Sequence, residues 1–177
     1  MKNLVIVLGM IFMCAAGAFG SGGAEVSTYT NEEYGFSFEY PVDFKEVPVL
    51  YPGEIIRLAI LNDFKVPVLT VSVKEKSEGA VLSEIPRKVV DFMKASMPGT
   101  SEYTIMNEDM ITLNDGTEAA TIEFSWLLGD KVTLMETSSI LMFKNTHQIT
   151  ITGNTIRGLG FPVTELSKIC RTLRVTE

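Results

Sequence analysis

Aromatic and small or polar residues alternate along Tyr34-Gly35-Phe36-Ser37-Phe38-Glu39-Tyr40, the period of a strand with one buried side. Pro41 ends it, having no amide to give to a ladder. Residues 55–61 and 66–73 are apolar and β-branched, which predicts two further strands about an Asn62-Asp63 turn. In the second, Leu69, Val71 and Val73 share one face, and Thr70, Ser72 and Lys74 the other. The period then lengthens. Leu82, Ile85, Val89, Phe92, Met93 and Met97 recur at three- and four-residue steps and predict an amphipathic helix over 83–97. Ser83 is placed to cap it, Pro86 falls in its first turn, and Pro98-Gly99 stops it.

Strands are predicted next over 105–113, 117–128, 131–144 and 147–152. The turn signals between them are Asn114-Asp115-Gly116, Gly129-Asp130 and Asn145-Thr146. Pro162 opens a last helix whose apolar stripe is Val163, Leu166, Ile169, Cys170 and Leu173. Ile140-Leu141-Met142-Phe143 and Trp126-Leu127-Leu128 are unbroken apolar runs within an antiparallel meander. A sheet wet on one side would alternate there, so these runs predict helical cover on both faces. The fold class is α+β: a central antiparallel sheet between helical layers, an α/β/α sandwich.

The N-terminus has a different design. Lys2 precedes an apolar run over 4–16, and small residues follow from Gly17 to Gly20, the order of a secretory leader. Residues 1–20 are therefore expected to be a signal peptide, cleaved after Gly20 or Ala24. The run falls short of the roughly 20 apolar residues that span a bilayer, so a retained anchor would have to recruit the glycine-rich tail. Cys14 follows bulky Met13, where lipoprotein processing prefers a small residue, and lipidation at Cys14 is the minor alternative. Residues 21–33 are polar and are expected to be a short tether, with one domain over 34–177.

Composition narrows the function. The 177 residues are 46% hydrophobic and carry a formal net charge of −7, one unit more negative once Lys2 is removed. That balance excludes a basic nucleic-acid binder. One His and two Cys, one of them in the leader, leave no zinc set and no internal disulfide. Cys170 lies on the buried stripe of the last helix, so a Cys170–His147 pair is a poor nucleophile, and His147 is expected to be exposed. Glu108, Asp109 and Asp115 flank one hairpin without calcium-loop spacing, and Glu39, Asp43 and Glu46 are scattered. Gly153-Asn154-Thr155-Ile156-Arg157-Gly158-Leu159-Gly160 has two-glycine spacing, but Leu159-Gly160 stand where a phosphate loop needs Lys and Ser/Thr. It reads as a flexible crossover loop with Arg157 as at most a weak anion contact.

Tyr34-Gly35-Phe36-Ser37-Phe38-Glu39-Tyr40-Pro41, followed by Asp43-Phe44, resembles the opening of the Mog1/PsbP-like family. The order of strands, helix, meander and a terminal helix ending in Thr172-Leu173-Arg174-Val175 is similar as well. The resemblance implies a non-catalytic accessory module that works by protein contacts or assembly. It carries over no metal site. Phe44 stands where many relatives have Trp, and is expected in the core.

The reading is therefore an exported, periplasmic or secreted interaction module, not an enzyme. It has no catalytic, cofactor or metal residue, and its partner is an envelope or exported protein. Membrane contact is expected only if Cys14 is lipidated or the Trp126-Leu127-Leu128 tip is exposed, with that tip favoured as core. The alternative is a small-ligand or lipid carrier with an apolar cavity between sheet and helix, lined by Phe92, Met93 and Met142.

Overall fold

The computed structural model describes residues 25–61, 67–97, 99–159 and 161–176. The expected leader with its cleavage points and Cys14, and the Asn62-Asp63 turn, lie outside the described residues. The first strands in chain order are β1 (Val26–Asn31), β2 (Phe36–Pro41), β3 (Phe44–Glu46), β4 (Glu54–Ile60) and β5 (Val68–Glu75). A single 3-10 turn, Leu82–Glu84, leads into α1 (Ile85–Ser96). The meander β6 (Ser101–Thr112), β7 (Glu118–Leu127), β8 (Leu134–Lys144) and β9 (His147–Ile156) follows, then α2 (Val163–Cys170) and β10 (Arg174–Val175). Seven strands form an antiparallel sheet in the order β3-β4-β5-β9-β8-β7-β6, and β1-β2-β10 form a smaller one. The chain is α+β, mostly sheet with two short helices.

Register sorts the side chains of the large sheet into two sets. Met142 and Ile140 of β8 lie beside Ile149 and Ile151 of β9, which lie beside Val73 and Val71 of β5. With Ile56 and Leu58 they pack against Leu166, Ile169 and Cys170 of α2 and Phe36 and Phe38 of β2. The alternate residues Ile122, Phe124 and Trp126 of β7, with Met135 of β8, form a second cluster with Val90 of α1. Successive strand residues point to opposite faces, so α2 and α1 press on opposite sides of β8. This is why the runs at 140–143 and 126–127 do not alternate. Trp126 is core, and its indole Nε1 donates to Thr137 Oγ1 at 3.0 Å. Beyond it, Leu128 and Val132 of the connecting turn are exposed.

Four expectations are corrected. The polar tether over 21–33 is a strand from Val26 to Asn31, paired along its length with β2, and Tyr29 packs on Phe36 and Phe38. Its threonines are β-branched and suit an extended chain, so polarity alone misread it. The stripe of α1 takes in Val90, which turns the buried side away from Phe92, now 69% exposed. Ser83 lies inside the 3-10 turn and Glu84 occupies the cap position with no side-chain cap bond, so no serine cap forms. The crossover loop at 153–160 begins as sheet, because β9 runs to Ile156. Gly153 is not a flexible joint there: a Cβ on it would stand 2.8 Å from Leu166 Cβ, so its hydrogen is what lets α2 settle on the sheet.

Two further features bound the large sheet. Its edge strand β6 has register shifts between Ser101 and Thr104 and between Ile105 and Asn107, with Ile105, Met106 and Met110 exposed along it. At the far end of β8, Lys144 Nζ donates to the carbonyls of Gly35 (2.5 Å) and Thr176 (2.7 Å), tying the small sheet to the large one.

We expect Gly153→Ala to lose about 1–3 kcal/mol in urea unfolding, the usual range for overpacking. Gly129→Ala, whose Cβ meets only ordinary contacts, serves as the control. Equal loss from both would contradict the packing described. Trp126→Ala is expected to cost about 3–5 kcal/mol in the same assay, as a buried aromatic deletion does.

Candidate functional site

Between β3 and β4 the chain reads Val47-Pro48-Val49-Leu50-Tyr51-Pro52-Gly53. The segment is as apolar as a strand, but two prolines deny it a ladder, and Gly53 at φ +84° takes a backbone that other residues adopt only with strain. What holds it is Glu54. One carboxylate oxygen accepts from the amides of Leu50 (2.9 Å) and Tyr51 (3.4 Å) and from Arg57 Nε (3.2 Å). The other oxygen accepts from Arg57 Nη2 at 2.8 Å. The guanidinium lies over the Tyr51 ring, 5.6 Å from its centroid. Both partners of this ion pair are mostly buried, with side-chain exposures of 14% for Arg57 and 8% for Glu54. Burial alone would raise the Glu54 carboxyl, but the bonds from Arg57 and the Leu50 and Tyr51 amides outweigh it and hold it below its ordinary range. The loop so fixed presents Val49 (49% exposed), Leu50 (64%) and Tyr51 (61%) to solvent in one unbroken stretch.

The same ion pair borders a polar surface. Across the face opposite α2, Arg57, Thr70, Thr152 and Ser139 stand side by side on β4, β5, β9 and β8, and Glu54, Ser72 and Thr150 form the neighbouring row. Ser139 and Thr152 share a hydrogen bond of 2.9 Å, and Thr137 donates to Asn154 at 2.8 Å. Thr137, Ser139 and Thr150 are buried, and Thr70, Ser72, Thr152 and Asn154 are half-buried. Helix α1 packs chiefly on β6, β7 and β8, and on this part of the sheet Gln148 and Thr150 are buried all the same. The expected helical cover on both faces is therefore partial on this side.

The residues singled out in the sequence are dispersed. Cys170 is fully buried, its Sγ faces the Ser138 carbonyl, and burial pushes the thiol up to about 12. His147 begins β9 while Ser138 pairs with Gly153, so about 20 Å of strand separates it from Cys170. It is not the exposed residue expected, but half-buried with its ring edge-on to Tyr34 at 5.2 Å. Glu108 is paired with Arg87 (2.9 Å), and Asp115 accepts from the amides of Thr117 and Val175. Glu39 faces Arg174 at 3.6 Å, and Glu46 lies exposed on β3. Asp43 is exposed in the turn before it. Among the described residues no three His, Cys, Asp or Glu side chains gather as a metal site requires. Phe44 is core, edge-on to Phe161 at 5.6 Å.

Arg157 is engaged with Glu136 at 2.6 Å rather than free for an anion. The pair lines an open cavity of about 360 Å³ with Ile156, Leu159, Phe161 and Pro162. The carrier cavity expected from Phe92, Met93 and Met142 does not form. Phe92 points outward, Met93 joins the α1 cluster and Met142 the α2 cluster, on opposite faces of the sheet. Among the described residues no helix is long and apolar enough to cross a membrane.

The chain has the PsbP-like α+β fold. Cyanobacterial PsbP (CyanoP) from Synechocystis superposes with a TM-score of 0.68 at 20% identity, over 90% of this chain and 97% of that one. LpqN of Mycobacterium tuberculosis, a protein involved in cell envelope biogenesis, gives a TM-score of 0.59 at 10% identity over 86% and 91%. A Bacteroides thetaiotaomicron protein gives 0.54 at 11% identity, over 85% of this chain and 48% of that one. No family model and no curated protein matches the sequence.

Neither the 47–53 loop nor the hydroxyl face was singled out from sequence. An apolar run broken twice by proline, followed at once by Glu and three residues later by Arg, was the signal for the loop. We expect Glu54→Gln to lose about 1.5–3 kcal/mol at neutral pH, the range for hydrogen bonds to a charged group. Because the folded carboxyl lies low, its stabilisation is complete above the unfolded value of about 4.3 and fades as pH falls through the folded one. The difference between variant and parent should therefore shrink below about pH 4. A difference constant down to acid unfolding would contradict the clamp.

Proposed function

We propose that this chain is an exported, non-catalytic accessory module that docks onto an envelope or exported protein through the 47–53 loop. The observation that carries the reading is the display of Val49, Leu50 and Tyr51 on a backbone immobilised by Glu54. Large apolar side chains facing water mark contact sites, and a loop ordered before binding loses less entropy when it binds. Tyrosine is among the residues enriched at the energetic centres of protein interfaces.

Export rests on the leader-like order of residues 1–20, with removal after Gly20 or Ala24 and one domain following. The absence of catalysis is supported by the separation of His147 from Cys170 and by the high pKa of that thiol. The finer architecture, a sheet between α1 on one face and α2 with the small sheet on the other, belongs to the same proposal. Likeness of fold to PsbP and to LpqN agrees with an accessory role at the envelope.

The test is in-cell cross-linking in the native host, comparing the parent with Leu50→Ser and Tyr51→Ala variants. A single envelope or exported partner should be captured by the parent and lost with Leu50→Ser, while the melting temperature of that variant stays within about 2 °C. Undiminished capture by both variants would overturn the loop as the contact.

A further inference from the structure

We propose that the outer edge of β1 is a second docking surface, and that its occupant is an extended segment of another protein, uncharged through its middle and basic at both ends. Each sheet has two outermost strands, and three of these four are ill suited to pairing. Strand β3 is three residues long and is followed closely by Pro48. Strand β6 is broken by two register shifts. Strand β10 has two residues, and Asp115 and Lys144 already hold the Val175 amide and the Thr176 carbonyl. Strand β1 has none of these protections. It pairs with β2 in six consecutive steps without a shift, and Val26-Ser27-Thr28-Tyr29-Thr30-Asn31 holds no proline and no charge. Among the described residues no other strand pairs with it, and no backbone hydrogen bond outside the β2 ladder involves these six.

Alternate residues of an outermost strand direct both their amide and their carbonyl outward, and another extended backbone is what matches that spacing. The ends of β1 decide which backbone. Glu25 precedes the strand and Glu32 and Glu33 follow it, all three exposed. A second copy pairing antiparallel along β1 would set Glu25 of each chain beside Glu32 of the other, so like charges would meet at both ends. A strand with basic ends meets the opposite sign at both, and the net charge of −7 draws it in. Between the ends, Tyr29 lies on the inner side with Phe38, and Thr28 and Thr30 lie on the outer side. Aromatic with β-branched and threonine with threonine are favoured cross-strand pairs, so an incoming strand with valine facing in and threonine facing out suits this edge. The surface belongs to the small sheet, whereas the 47–53 loop joins two strands of the large one, and the two contacts are separate.

The test titrates the isotope-labelled protein with peptides of alternating Val and Thr, as long as β1 and carrying two Lys at each end, and follows backbone amide shifts. Binding should move the amides of residues 26–31 together, with Kd on the order of 0.01–1 mM. The same peptide with proline at its centre cannot complete a ladder and should not bind. A version ended by Glu instead of Lys should bind about tenfold or more weakly at low salt. A Glu25→Lys, Glu32→Lys double variant changes two exposed side chains and should reverse that preference with its spectrum otherwise preserved. Leu50→Ser should bind as the parent does, which separates failure of this proposal from failure of the loop contact. No shifts at residues 26–31 with about 2 mM of the Lys-ended peptide, equal binding of the proline version, or an unchanged preference in the double variant would each overturn it. Dimerisation that moves the same amides without any peptide would make a second copy the occupant and overturn it as well.

Discussion

On β8 both helices bear, one from each side, and the rest of the molecule is arranged around that strand. Its even-numbered residues Ile140 and Met142 meet the α2 cluster, while Met135 meets α1. A strand pressed from both faces has no side on which a polar residue is free to water, so its few hydroxyls must find partners. Thr137 does so twice, accepting from Trp126 and donating to Asn154, and Ser139 pairs with Thr152. A glycine, Gly153 on the neighbouring strand, is where Leu166 closes on the sheet. Because α1 packs chiefly on β6, β7 and β8, its cover thins beyond β8. The hydroxyl face begins there.

That boundary explains which features were legible beforehand. Alternation in β5 and continuity in β8 were both visible in sequence, and both are true of the fold, because each strand records its own surroundings. Helix α2 was also legible, its five apolar positions all buried. Where α1 would land was not, since that depends on the tertiary position of Val90, and the error over Phe92 follows from it. Strand β1 escaped notice because its pairing with β2 comes from backbone bonds and a single aromatic, Tyr29, rather than from an apolar run. Of the site, only the polar side of β5 was readable in advance. The loop depends on a carboxylate turning back onto amides three and four residues before it, a contact with no hydrophobic signature.

Charge in this protein is used to fasten segments rather than to assemble a reactive centre. Glu54 fixes a loop, Lys144 joins two sheets, and Asp115 accepts the amide of Val175 from the terminal strand. Each of these groups bonds directly to backbone. Residues so employed have little freedom to serve as acids or bases.

The irregular course of β6 has a consequence for the protein in a crowded compartment. An outermost strand of twelve residues would ordinarily offer a comb of unclaimed amides and carbonyls to any similar chain. Two interruptions in its pairing skew that comb, and Asp109 puts negative charge along it. Copies meeting edge to edge would find neither a straight template nor a matching sign. Both features oppose strand addition at a margin where Ile105, Met106 and Met110 face solvent.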